Sequence, residues 1–376
     1  MGEKILLKGN EAIAIAAVRC GCDGYFGYPI TPQSEILETL SEMNPCKDTG
    51  MIVLQAESEV AAINMLYGGA GCGKKVMTSS SSPGISLMTE GISYIAGAEL
   101  PCVIVDVMRG GPGLGTIQPA QSDYFQIVKG GGHGDYHTIV LAPASVQEMN
   151  DFVELSFDLA FKYRTPVVIL SDGIIGQMME KVELSPVRPR WTDEEIVQLH
   201  GDWATTGKTS DRKRNIVTSL DLDPHKQELF NAKLQRKYLE IERNEVRYKS
   251  LLCDDAEYLL VAYGLSARVS QKAMELARDE GIKVGLIRPK TLFPYPYEAI
   301  EKIVPQLKSI LVVEMSAGQM VEDVSLAVKS RVPLYSHGRT GGMLPSPEDV
   351  MSLIKSISEG TFNPDSFPGH NKLWLR

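Results

Sequence analysis

Three residues of this 376-residue chain pair a reactive side chain with a place at a strand end: Thr31, Glu57 and Arg109. Glu57 stands in Ile52-Val-Leu-Gln-Ala-Glu57-Ser-Glu59-Val-Ala-Ala, which reads as a short buried strand feeding a helix of small residues. A carboxylate desolvated against an apolar helix resists ionising alone. It is suited to sharing a proton with a heterocyclic nitrogen. Arg109 closes Cys102-Val-Ile-Val-Asp-Val-Met-Arg109 and opens a Gly/Pro-rich loop. A guanidinium there suits bidentate recognition of a substrate carboxylate. Thr31, in Gly27-Tyr-Pro-Ile-Thr31-Pro, can donate a hydrogen bond to a carboxylate or keto oxygen. Each residue also has a plainer reading. Thr31 can cap the following helix, Glu57 can favour a helix N-terminus through the dipole, and Arg109 can pair with a surface carboxylate. Their joint occurrence at three strand ends favours a site, because α/β active sites collect side chains at the carboxyl edge of the sheet.

The elements that must position them alternate along the chain. Strands are expected at Gly24 to Ile30, Ile52 to Ala56, Lys75 to Thr78, Cys102 to Val107, Thr138 to Leu141 and Pro166 to Leu170, with helices between them. Val- and Ile-rich strands alternating with helices indicate a parallel sheet covered on both faces. The fold class is therefore α/β, with a doubly wound domain over residues 1–185. Residues 186–252 change character. Trp191 to Ser219 is polar without a clear period, and Pro224 to Leu251 reads as one long, mostly solvated helix. This stretch is expected to be a connector or helical lobe, bridging domains or docking a partner. From 253 to 376 the α/β pattern resumes as a second, smaller doubly wound domain.

Composition narrows the function. Hydrophobic residues make up 43% and charged residues 23%, ordinary for a globular chain, and the net charge of −9 argues against nucleic acid as the main partner. No basic-then-apolar leader and no apolar run of membrane-spanning length is read, so no membrane is expected. The six scattered cysteines suggest reduced thiols in a cytoplasm, with Cys20-Gly-Cys22 as core thiols rather than a metal or redox pair.

Thiamine diphosphate is a cofactor that needs this set. A carboxylate bonded to its aminopyrimidine favours the imino form, whose nitrogen removes the thiazolium proton, and the cofactor then serves as electron sink. Several segments carry a resemblance in the same direction. Gly27-Tyr-Pro-Ile-Thr31-Pro, Gln55-Ala-Glu57-Ser-Glu-Val-Ala-Ala, Thr78-Ser-Ser-Ser-Ser-Pro-Gly84 and Gly97-Ala-Glu-Leu-Pro-Cys-Val resemble the alpha-type subunit of the 2-oxoacid:ferredoxin oxidoreductases. So do the loop from Arg109 to Tyr124, Gly130-Gly-Gly-His-Gly-Asp135, Val312-Val-Glu-Met-Ser-Ala-Gly-Gln-Met320 and Arg339-Thr-Gly-Gly342. The resemblance spans nearly everything outside 186–252. It implies a pyrimidine-type thiamine diphosphate-binding domain followed by a transketolase C-terminal-like domain. It also implies that Glu57 contacts the aminopyrimidine and that Thr31 and Arg109 bind the substrate carboxylate or keto group.

The family's usual diphosphate and magnesium loop is not found. Ser171-Asp172-Gly173 is the nearest fragment and lacks its context, and no Cys-rich run suits an iron–sulfur cluster. The resemblance therefore implies a cofactor shared with a thiamine-binding beta subunit. Magnesium and iron–sulfur clusters would lie on partner subunits, including gamma and ferredoxin-like delta chains. Coenzyme A and ferredoxin would complete the reaction. Gly110 to Tyr124 contains neither Lys nor Arg, which favours an apolar substrate side chain, and the loop resembles the 2-oxoisovalerate (3-methyl-2-oxobutanoate) type. The same complex acting on 2-oxoglutarate or pyruvate, a non-oxidative thiamine decarboxylase half-subunit and a non-catalytic assembly subunit stay open as alternatives.

Overall fold

The computed structural model describes residues 4–208, 210, 212–363 and 371–374; the extreme ends of the expected first and second domains lie outside these. A seven-stranded sheet forms the first core. Its order is Thr291–Phe293, Ile139–Leu141, Pro166–Asp172, Cys102–Met108, Val76–Ser80, Gly24–Gly27, Ile52–Gln55. All neighbours are parallel except Thr291–Phe293, which runs antiparallel on Ile139–Leu141. Cys102–Met108 and Pro166–Asp172 are buried along their whole length, so their apolar runs need no polar alternation.

Ile52–Gln55 departs from its sequence reading as a buried strand. It is the sheet's outer strand, with Ile52 54% and Leu54 38% exposed. An apolar run signals that a strand is covered, but not by which chain. No other segment among the described residues pairs with its outer edge.

The second sheet has six strands, in the order Asn371–Leu373, Leu334–Gly338, Ser309–Glu314, Tyr258–Val261, Val284–Pro289, Tyr248–Leu251. Its four central strands are parallel and its two outer strands antiparallel. The two units exchange material. Thr291–Phe293 joins the first sheet, and Tyr248–Leu251, expected as helix within the connector, edges the second. The long helix ends at Asn244 instead of running to Leu251. Glu245 then turns inward and is held by Lys162, Tyr163 and Arg247.

Ahead of the Tyr248–Leu251 strand, described parts of the expected connector pack against the first domain. Trp191 lies under the Lys75 ammonium, Arg190 donates to Asp23 at 2.7 Å, and Phe161, Trp191, His200 and Trp203 form an aromatic cluster. A helix at Asp193–His200 appears where no period was read. A capping box starts it: Thr192 Oγ1 accepts from Glu195 N, and Glu195 Oε2 accepts from Thr192 N. The Pro224–Asn244 helix buries one stripe, Leu234, Tyr238 and Ile241, while Lys233 and Lys237 grip Glu99. Cys20, Cys22, Cys102 and Cys253 are buried free thiols, and burial pushes Cys20 up to about 12.

Candidate active site

The chain runs from Gly24–Gly27 out to Ile52–Gln55, then returns to Val76–Ser80 on the other side of the starting strand. The strand order therefore reverses at Gly24–Gly27, and the carboxyl ends of the strands at such a reversal are the place where open α/β sheets take ligands. Four consecutive strands deliver polar residues there: Glu57 after Ile52–Gln55, Thr31 after Gly24–Gly27, Ser82 after Val76–Ser80 and Arg109 after Cys102–Met108.

The Thr31 turn is fixed from below. The Thr31–Pro32 peptide is cis, and the Pro32 carbonyl accepts from Asn10 Nδ2 at 2.8 Å and Gln177 Nε2 at 3.1 Å. Gln33 Nε2 donates to the Tyr28 carbonyl, and its Oε1 accepts from Ser79, which bonds Tyr25. Thr31 itself stands exposed above this network.

Arg109 is buried, 9% exposed, and directly tied to the Thr31 turn. Nη1 donates to the Thr31 carbonyl at 3.0 Å and Nη2 to the Leu114 carbonyl at 3.2 Å, while Nε is buried without a partner. The guanidinium is thus not a surface cation paired with a carboxylate. It is oriented by backbone carbonyls, with hydrogen-bonding capacity left over. Its loop is also braced by the second domain. Gln121 exchanges backbone and side-chain bonds with Met315, donates to the Tyr263 carbonyl at 2.9 Å and accepts from Ser266 at 2.8 Å. Gly342 (φ 89°) packs so closely that a Cβ there would lie 2.2 Å from Gln118 Cβ.

Glu57 contrasts with both. Its side chain is exposed and has no hydrogen-bond or ion-pair partner among the described residues. The expected desolvation against the following helix is not found, because Ser58 supplies the N-cap, accepting from Ala61 N at 3.2 Å, and turns Glu57 outward. The buried carboxylate is Glu59, 5% exposed; its Oε1 lies 2.5 Å from where a Gly84 Cβ would stand. Exposed apolar side chains sit on the same elements as the site: Leu54, Val60, Leu87, Leu114 and Ile117.

Sequence reasoning did not single out Ser82, Asp106, Gln121 or Asp123. Asp106 inside an otherwise apolar strand was the available signal. Asp172 is structural: it accepts from Ile174, Ile175 and, across the domain boundary, Leu265. Among the described residues no group of three metal-ligating side chains assembles, and no helix is long and apolar enough to cross a membrane.

Comparison with known proteins fits this geometry. Residues 15–218 match the thiamine diphosphate-binding domain of pyruvate flavodoxin/ferredoxin oxidoreductases, and residues 256–350 match pyruvate:ferredoxin oxidoreductase core domain II. The chain is 53% identical to the ketoisovalerate oxidoreductase subunit VorB of Methanothermobacter thermautotrophicus, over 94% of this chain and 97% of that one. The chain belongs to the 2-oxoacid:ferredoxin oxidoreductase family. As a member of that family it is an oxidoreductase subunit with a thiamine diphosphate-binding domain. A 2-oxoglutarate:ferredoxin oxidoreductase from Magnetococcus marinus, solved with 2-oxoglutarate, coenzyme A and succinyl-CoA bound, superposes with a TM-score of 0.83 at 26% identity. That match covers 94% of this chain and 65% of the longer one. A split-gene transketolase matches with a TM-score of 0.58 at 13% identity, covering 93% and 97% of the two chains, which establishes the shared fold alone.

Proposed function

We propose that this chain is the alpha-type subunit of an oxidoreductase that decarboxylates 3-methyl-2-oxobutanoate with coenzyme A and passes the electrons to ferredoxin. Its site is completed by a thiamine-binding beta subunit, with gamma and ferredoxin-like delta chains in the same assembly. The observation that carries the reading is the lone, exposed Glu57 beside the prebuilt Arg109–Thr31 pair. A carboxylate at a sheet's carboxyl edge with no hydrogen-bond or ion-pair partner among the described residues, flanked in sequence by exposed Leu54 and Val60, suits the pyrimidine end of a cofactor brought in on another chain.

Thiamine diphosphate, when bound, supplies the nucleophilic carbon and the electron sink. Glu57 holds a proton with the pyrimidine ring nitrogen, and covering by cofactor and partner removes the water that surrounds it in the lone chain. Arg109 Nε and its remaining N–H groups bind the oxoacid carboxylate, and the Thr31 hydroxyl donates to the carboxylate or keto oxygen. Leu114 and Ile117 are exposed on the arginine loop, which carries no cation between Gly110 and Tyr124, and they suit a branched aliphatic substrate. The 53% identity to a ketoisovalerate subunit, against 35% to a 2-oxoglutarate synthase subunit KorA of Methanothermobacter marburgensis, supports the same substrate.

The test is reconstitution with the partner chains and comparison of kcat/KM among 3-methyl-2-oxobutanoate, 2-oxoglutarate and pyruvate. The branched oxoacid is expected to lead by roughly tenfold or more, the scale of a few methylenes in an apolar pocket. A preference for 2-oxoglutarate would overturn the substrate assignment, and turnover without ferredoxin reduction would overturn the oxidative one.

A further inference from the structure

Directly behind Arg109 lie two buried carboxyl groups that the proposed reaction does not use. Asp106, on Cys102–Met108, is 0% exposed, and neither of its oxygens receives a hydrogen bond from a donor group. Asp123, at the far end of the arginine loop, is 7% exposed and within hydrogen-bonding reach of Asp106. Two ionised carboxylates in contact and out of water repel strongly, and the usual resolution is one proton shared between them. Burial, and then the neighbouring Asp123, push Asp106 well above the ordinary carboxylate range. Burial also raises Asp123, but its hydrogen bonds from Ser82 and Asp106 pull it back.

The asymmetry fixes where the proton sits. Asp123 receives the Ser82 hydroxyl, a donor that favours an ionised acceptor, and Asp106 has no such donor. Asp106 therefore carries the proton and donates it to Asp123. Ser82, the first residue of the Ser82–Gly97 helix, in turn accepts the Arg109 backbone N–H at 3.1 Å. The Ser82 hydroxyl also lies 3.1 Å from the Arg109 carbonyl. Its single proton goes to the stronger acceptor, the Asp123 carboxylate, which leaves a lone pair for the Arg109 amide. The chain of bonds runs from the protonated Asp106 through Asp123 and Ser82 to the backbone of Arg109. It joins the middle strand, the two ends of the arginine loop and the helix that follows Val76–Ser80. Tyr263 of the second domain lies close enough to feel both carboxyls, and Glu314 and Asp172 are its other charged neighbours.

We propose that Asp106, Asp123 and Ser82 are positioning residues that fix the Arg109 backbone, and with it the substrate-clamping guanidinium, through one proton shared by the two carboxyls. The assignment of Arg109 as substrate clamp rests on the function proposed above; the shared proton does not.

Two measurements separate these. Infrared spectroscopy of the full chain at neutral pH should show a carboxylic-acid C=O band, sensitive to deuterium oxide, that disappears in Asp106→Asn. Absence of that band in the wild type would overturn proton sharing whatever the enzyme's activity. In the reconstituted complex, Ser82→Ala should raise KM for the oxoacid roughly tenfold, the scale of one lost hydrogen bond, with kcat changed much less. Ser82→Thr, which keeps the hydroxyl, should restore KM. Asp106→Asn, whose amide N–H still donates to Asp123, should lie near the wild-type KM, and Asp106→Leu should behave like Ser82→Ala. A wild-type KM in Ser82→Ala, or no rescue by Ser82→Thr, would overturn the positioning role. A wild-type complex with no oxoacid turnover would count against the proposed function instead.

Discussion

The arginine side of the site and the Glu57 side differ in how far the chain finishes them alone. Arg109 is buried and held by the Thr31 and Leu114 carbonyls. Behind it stand Ser82 and Asp123, and Gln121 pins its loop to the second domain. Glu57 projects from the outer strand without a partner, beside exposed Ile52, Leu54 and Val60. Preorganised groups gain most by being fixed before the substrate arrives. The arginine side meets that condition within one chain. The glutamate side does not, because Glu57 stands exposed at its strand end. Under the proposed function the difference is a division of labour: this chain would build the substrate clamp and contribute one group to a cofactor site that another chain would close.

The largest effect that would break the comparison is kinetic. Glu57→Gln should lower turnover of the reconstituted complex by roughly a hundredfold or more, the scale of a lost proton-transfer group. The melting temperature of the isolated chain should not move, because the exposed side chain has no hydrogen-bond or ion-pair partner among the described residues. A large loss of stability would mean that Glu57 is structural.

Arg109→Ala should do the opposite in kind. KM for the oxoacid should rise roughly ten- to a hundredfold, and the isolated chain should lose about 1–3 kcal/mol as the Thr31 and Leu114 carbonyls lose a charged donor. Denaturant unfolding beside steady-state kinetics checks both. An unchanged stability would show that the arginine is not prebuilt.

A smaller effect concerns a second contact between the two sheets' units, away from the arginine loop. Glu148, on the Val146–Tyr163 helix, takes both Arg288 Nη groups at 2.6 Å and Lys290 at 2.9 Å. Burial pushes its carboxyl up, but the Arg288 fork, the Ala144 amide and Lys290 outweigh that and bring it to about 2 from 4.5. A depressed carboxyl stabilises the fold fully above its unfolded value and loses that contribution as pH falls through its folded value. About 3 kcal/mol should therefore fade between pH 4.5 and about 2. Glu148→Gln should flatten that part of the stability–pH curve. An unflattened curve would place the acid sensitivity elsewhere.

The parallel sheet and its carboxyl edge were legible because Val- and Ile-rich runs such as Cys102–Met108 are buried on both faces and carry no competing pattern. Thr31, Glu57 and Arg109 stood out because polar residues at the ends of such runs have few structural reasons to be there. The burial of Ile52–Gln55 was misread, since an apolar strand gives the same pattern whether its own chain or another covers it. The Asp193–His200 helix was missed although Thr192 and Glu195 stand at capping-box spacing, because its body carries only one buried residue, Ile196. The exchange of Thr291–Phe293 into the first sheet depends on long-range pairing that no local pattern encodes. The Ser82–Asp106–Asp123 network is not legible for a related reason: Asp106 stands out as a polar residue in an apolar strand, but its partners come from far along the sequence and meet it only after the loop folds back.

Amide hydrogen exchange, compared between the isolated chain and its complex with the thiamine-binding partner, tests the division of labour most directly. Residues 103–109 and 121–124 should already exchange slowly in the isolated chain and change little on assembly. Residues 52–60 should exchange fast alone and become protected only in the complex. Protection of 52–60 in the isolated chain, or no change there on assembly, would contradict the account.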